Sequence, residues 1–207
     1  MHINKWIDDF LNEREESGFT GKLVYQYKIT DEEFSKLKIS LELDLFELCD
    51  IESYSFTAGL VLYCCEWWRR EYEGSNWSWT PIFESIGAKT PNPVLRKKII
   101  EKGLKRLKRP LLKSQGGENE YLGTIAFESG IPRSLLIEDH YFSKVIADGY
   151  LEFMELSSFD LTDLQIVEDI CSRRRIPETY KNEYFYQLIK KVVDALINLN
   201  NRFDLRS

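Results

Sequence analysis

The chain has 207 residues, 43% of them hydrophobic and 30% charged, with 12 Phe, 11 Tyr and 5 Trp. This excludes a disordered, collagenous or low-complexity polymer and provides a buried core for one domain or two small lobes. Its 28 Lys and Arg stand against 34 Asp and Glu, a net charge of −6, so the whole molecule is not a general polyanion binder and any nucleic-acid surface must be local.

Asp8 and Asp9 fall where an export signal would need a basic and then an apolar stretch, so a cytoplasmic location is expected. The longest apolar stretch, 56–68, contains Thr57 and Glu66 and is shorter than the roughly 20 apolar residues a membrane span needs. Cys49, Cys64, Cys65 and Cys171 form no C-x-x-C, and His2 and His140 are the only histidines. Buried reduced thiols are expected, with no metal or cofactor.

From the N-terminus, Ile3, Trp6, Ile7, Phe10 and Leu11 recur at one-face helical spacing over residues 3–14, and Gly18 and Gly21 follow as terminators. Residues 22–29 (KLVYQYKI) have strand composition. Thr30 with Glu33 forms a capping box, predicting a helix from near Asp31 toward Leu48, with a strand over 37–45 as the alternative. Ser53 can cap a helix over 53–72 that is apolar nearly all round and should lie at the centre of the domain. A short helix is expected over 81–86, and a long one over 94–109 ended by Pro110.

The polar stretch 114–120, with Gly116 and Gly117, reads as a flexible joint. It separates an N-terminal lobe, 1–113, from a C-terminal lobe, 119–207. Beyond it, 121–128 is compatible with helix or strand. Helices are expected from Pro132 through Glu138 or further, over 141–156, and from a cap at Asp160 or Thr162 to Arg174. The last helix, 177–201, presents Tyr184, Leu188, Val192, Ala195, Leu196 and Leu199 on one face. The expected fold class is mainly α, with one short β element near 22–29.

Three segments could carry function. Residues 96–113 have a local net charge of +8, which leaves −14 for the rest of the chain. Ile100, Leu104, Leu107 and Leu111 form the apolar stripe of this helix. The opposite side, with Lys98, Lys102, Lys105, Arg106 and Arg109, could meet nucleic-acid phosphates, an acidic protein surface, or only solvent.

The second segment holds Arg133 and His140, seven residues apart on what would be one helix. This spacing resembles that of helical HEPN ribonucleases, and the resemblance would assign Arg133 and His140 to the RNA 2′-hydroxyl and scissile phosphate. Ser134 departs from the residue types that often follow the arginine, and a lone histidine such as His140, beside Glu138 and Asp139, is more often a solvent-facing or hydrogen-bonded residue. The motifs G-x-S-x-G, G-x-x-x-x-G-K-[ST], H-E-x-x-H and G-x-G-x-x-G are absent. The carboxylates Glu42, Asp44, Glu47, Asp50 and Glu52 read as the exposed side of a helix.

The third is the block 66–87, EWWRREYEGSNWSWTPIFESIG, in which Arg69 and Arg70 could stack on Trp77 or Trp79. Such a block either locks a turn or offers a partner surface. Together with FTAGLVLY at 56–63 and YLGTIAFESGIP at 121–132, it resembles the N-terminal region of large bacterial proteins of the YjiT type, found in mobile-element and anti-phage defence contexts. The resemblance carries no catalytic residues. It implies an interaction module whose partners are other defence proteins or further domains of a longer chain, and no membrane. DNA or RNA binding through 96–113 is the second expectation, and a HEPN-like ribonuclease the third.

Overall fold

The computed structural model describes residues 3–44, 52–73, 77–112, 119–136, 141–155, 163–174, 176, 180–181 and 183–203. Among them the protein is mainly α. The chain divides into two compact units, Met1–Ser134 and Leu135–Ser207. The expected joint at Gly116 and Gly117 lies outside the described residues.

The first unit is built around one helix. α1 (Ile3–Glu16), α2 (Asp31–Asp44), α3 (Tyr54–Glu71), α4 (Thr80–Glu84), α5 (Pro93–Arg106) and α6 (Leu122–Ser129) follow in order. α1, α2, α5 and α6 all pack on α3. Every residue of α3 from Phe56 to Trp68 is buried, as an all-round apolar helix requires. The Ser53 hydroxyl caps α3 by accepting the Phe56 N–H at 3.1 Å, and α2 begins on the expected capping box: the Thr30 N–H donates to Glu33 at 2.8 Å and the Glu33 N–H to the Thr30 hydroxyl at 3.2 Å. α1 buries Ile7, Phe10 and Leu11. α5 closely approaches α3 at Gly103, where a Cβ would stand 2.4 Å from the Thr57 carbonyl oxygen and 2.6 Å from Val61 Cγ2.

Residues 22–29 correct the expected β element: Val24–Tyr27 is a 3-10 turn. A 3-10 turn sets residues i and i+3 on the same side, so Val24 and Tyr27 are both buried, whereas a strand would point them to opposite faces. The Val24 N–H is satisfied by the Glu128 carboxylate at 3.2 Å and Lys28 closes the turn at φ 53°. The tertiary partner outweighs the β propensity of the segment.

α5 also ends earlier than expected. Lys108 takes a positive φ of 55°, and the Arg109 N–H turns back to the Leu104 carbonyl at 2.8 Å. This places Arg109 beside α6 instead of on the outer face of a continuing helix. The ambiguous stretch 121–128 is helical, and α6 belongs to the first unit.

The second unit contains α7 (Tyr141–Glu155), α8 (Asp163–Arg173) and α9 (Glu183–Phe203), all mutually in contact. Phe142, Tyr180 and Phe185 form an aromatic cluster, with Phe142 edge-on to Tyr180 at 5.2 Å and to Phe185 at 5.0 Å. That cluster fixes the rotation of α9. Phe185, Tyr186, Ile189 and Val193 face the core, while Leu196 and Leu199 are exposed. The expected stripe through Leu188, Val192, Leu196 and Leu199 is therefore off by one position, about 100° of helix rotation.

Candidate functional site

α5 displays most of the basic segment. Its apolar side buries Ile99, Ile100 and Leu104, as a helix with a stripe against α3 must. Of the five basic residues singled out in the sequence, Arg106 and Arg109 form an inner set at its C-terminal end and Lys98, Lys102 and Lys105 an outer set along its length, while Arg96 is buried near its N-terminal end.

The inner set is consumed by the chain's own carboxylates. Arg106 donates to Glu15 at 3.1 Å and lies 3.6 Å from Asp8. Arg109 Nε donates to both Glu128 oxygens, at 2.8 and 3.0 Å, and its Nη1 to the Gly21 carbonyl at 2.8 Å. Glu128 is fully buried. Burial pushes its carboxyl above the ordinary range, and the Arg109 charge and the Val24 N–H offset only part of that effect. Arg106 and Arg109 thus fasten α1, the 3-10 turn and α6 together and do not form an outward phosphate surface.

The outer set comprises Lys98, Lys102 and Lys105. Lys98 and Lys102 both donate to the carboxylate of Glu52. Glu52 sits just ahead of the Ser53 cap of α3, a placement that replaces its expected position on the exposed side of a helix. The two lysine hydrogen bonds, Lys102 foremost, and then the two lysine charges hold its carboxyl at about 2. Lys102 and Lys105 stand 5.7 and 5.8 Å from the centre of the Tyr54 ring, which is 43% exposed. Sequence reasoning did not single out Glu52 or Tyr54 for this surface. Their signal was available as the cap at Ser53, which sets the two residues at the mouth of α3, but the pairing with α5 requires the tertiary fold.

The tryptophan–arginine block is internal. Arg70 donates to Glu66 at 2.8 Å, to the Ile29 carbonyl at 2.7 Å and to Asp31, and its guanidinium lies 4.9 Å from the Phe34 ring. Arg69 pairs with the same Glu66 at 2.5 Å. The cation over Trp79 is Arg96, at 5.7 Å. These contacts correct the expectation that Arg69 and Arg70 stack on Trp77 or Trp79. Trp79 is buried and donates its indole N–H to the Glu120 carbonyl at 3.1 Å. Trp77 is half-buried and stands edge-on to Trp68 at 5.0 Å. Trp68 and Trp77 thus bring the end of α3 against the residues that lead into α4.

Arg133 is exposed in a 3-10 turn, Arg133–Leu136, and not on the α-helix expected to carry it with His140; His140 lies outside the described residues. The Cys64, Cys65 and Cys171 thiols are buried and free. Burial raises Cys64 and Cys171 to about 12 and drives Cys65 upward as well. Cys49 lies outside the described residues. No cluster of three or more His, Cys, Asp or Glu able to hold a metal occurs among the described residues, and no described helix is long and apolar enough to cross a membrane.

The profile of the YjiT N-terminal domain matches residues 1–131, almost the whole of the first unit. The chain belongs to the YjiT N-terminal domain family. It is also 27% identical over 202 residues to Protein YjiT of Escherichia coli strain K12, covering 96% of this chain and 39% of that protein. The chain thus spans about two fifths of the length of this curated relative, and the likeness extends beyond the YjiT domain into the second unit. No solved structure matches.

Proposed function

We propose that this YjiT-family chain is a non-enzymatic interaction module of a bacterial anti-phage defence system, docking an apolar helix face of a partner protein. The observation that carries the reading is a groove of about 490 Å³ in the second unit, lined by Ser143, Ile146, Ala147, Tyr150, Leu196, Leu199 and Asn200. Its walls are two packed helices, α7 and α9, and it is rimmed by exposed leucines. This is the shape and chemistry of helix-in-groove recognition. The defence setting is what the YjiT resemblance implies. The block at 66–87 does not serve as the partner surface in this reading, because its arginines and Trp79 are occupied by internal contacts.

The test is phage plating on cells carrying or lacking the gene, with Leu196→Asp/Leu199→Asp as the surface variant. The gene is expected to lower plating efficiency. The double variant should restore plating to the deletion level while the purified chain melts unchanged, because both leucines are exposed. Equal plating with and without the gene would reject the defence role, and full protection by the double variant would reject the groove.

A further inference from the structure

We propose that Tyr54, Lys98, Lys102 and Lys105 form a docking surface for single-stranded nucleic acid, with Glu52 as a built-in competitor for two of the lysines. The surface lies in the first unit and stands independently of the groove in the second.

Exposure is the first observation. Tyr27, Tyr63, Tyr72 and Tyr121 are all buried, whereas Tyr54 shows 43% of its surface to solvent at the start of α3. An exposed aromatic ring is a stacking platform that accepts any base, since every base has a π-face. The second observation is what surrounds the ring. The ammonium groups of Lys102 and Lys105 lie 5.7 and 5.8 Å from its centre, and Lys98 is one turn back along α5.

Positions 98, 102 and 105 follow one helix face at i, i+4 and i+7, rising about 6 and then about 4.5 Å along the axis. Three cations in a row beside one stacking ring can follow a flexible phosphate backbone while a base rests on the tyrosine. Duplex DNA is a poorer fit. Arg106 and Arg109, which would extend the charged row, are turned inward to Glu15 and Glu128, so the footprint is too short to follow both strands of a groove.

Glu52 supplies the third observation. Its two oxygens are each hydrogen-bonded to one lysine, Oε1 to Lys98 and Oε2 to Lys102, the arrangement a phosphate with two free oxygens would adopt there. Its side chain is 71% exposed. The carboxylate can therefore swing into solvent when a phosphate arrives, and while in place it weakens binding by occupying both cations.

The experiment is fluorescence anisotropy of a labelled oligothymidine longer than one site, about 15 to 20 nucleotides, titrated with the whole chain. Binding is expected to weaken with salt, with a log–log slope of about −2 from three lysines on a single strand. Lys102→Glu/Lys105→Glu should abolish it. Tyr54→Ala should weaken it about five-fold or more, as loss of one stacked base does, while Tyr54→Phe retains it. Glu52→Gln should tighten binding about two- to ten-fold by releasing two exposed ion pairs.

Heparin, a polyanion without bases, separates stacking from charge: its binding should not respond to Tyr54→Ala. No oligothymidine binding at low salt would overturn the proposal, as would a Tyr54→Ala variant that binds as well as the parent or a Glu52→Gln variant that binds no more tightly. Preference for duplex over single strand would also overturn it. Glu52, Tyr54 and Lys105 are exposed and Lys102 is half-buried, and a parent-like helical circular dichroism spectrum with a cooperative melt for each variant confirms that folding is intact.

Discussion

Gly103 carries the sharpest test of the packing. It is the point of close approach between α5 and α3: a Cβ there would lie 2.4 Å from the Thr57 carbonyl oxygen, 2.6 Å from Val61 Cγ2 and 2.9 Å from the Thr57 carbonyl carbon. Ordinary contact begins near 3.4 Å, so the seam would have to open by about 1 Å, and two of the three obstacles are backbone that no rotamer change can move. Alanine would gain about 1 kcal/mol of helix propensity. Overpacking typically costs about 1–3 kcal/mol, and forced separation of α3 from α5 also loosens Ile99, Ile100 and Leu104. The expected net for Gly103→Ala is a loss of about 2 kcal/mol, or a drop in Tm of about 6–10 °C for a unit of this size.

Gly123 is the matched control. It is helical, in α6, with no heavy atom within 4 Å of its would-be Cβ, so Gly123→Ala should gain up to about 1 kcal/mol and raise Tm. Circular dichroism melts and urea titrations read both variants. A Gly103→Ala protein that melts at or above the parent would refute the α3–α5 geometry, and a Gly123→Ala protein that melts lower would refute the placement of α6.

Further measurements address the polar interior and the surface. Arg70→Ala leaves Glu66, almost wholly buried, with Arg69 as its remaining cation, and is expected to cost about 3–5 kcal/mol in urea unfolding; a loss below about 1 kcal/mol would show the network to be incidental. Ser53→Ala removes the cap of α3 and should cost about 1 kcal/mol, measured in the same way. Glu52 is held below its unfolded value of 4.5, at about 2, so its contribution is present above 4.5 and lost as pH falls toward 2. The stability difference between the parent and Glu52→Gln should therefore vanish over that window and shrink with salt; a difference that instead grows on acidification would contradict the ion pairs. The Cys64, Cys65 and Cys171 thiols, buried and poorly ionised, should react with a thiol reagent only after denaturation; modification of any of the three at native pH would place it at the surface.

Much of the secondary structure was legible because its signals are local. A capping box acts over three residues, so α2 begins where Thr30 and Glu33 require. The apolar run at 56–68, broken only by Thr57 and Glu66, calls for a buried position, and α3 occupies the centre of its unit. The 3-10 turn at Val24–Tyr27 was not legible, because its preference over a strand depends on Glu128, 104 residues away, accepting the Val24 N–H. The face of α9 was misread for a related reason: two overlapping stripes are nearly equal in hydrophobicity, and the cluster of Phe142, Tyr180 and Phe185 chooses between them.

The charged segment divides along the same line. Composition alone established that positive charge is concentrated in 96–113 on an otherwise acidic chain, since charge is additive and needs no coordinates. Which of those cations face outward was decided by the fold. The left-handed Lys108 turns Arg109 in toward Glu128, α1 brings Glu15 to Arg106, and Glu52, next to the Ser53 cap of α3, lies across Lys98 and Lys102. Ion pairing depends on distance, and the distance between residues 52 and 102 is set by how α5 packs on α3, not by anything adjacent to either in the chain.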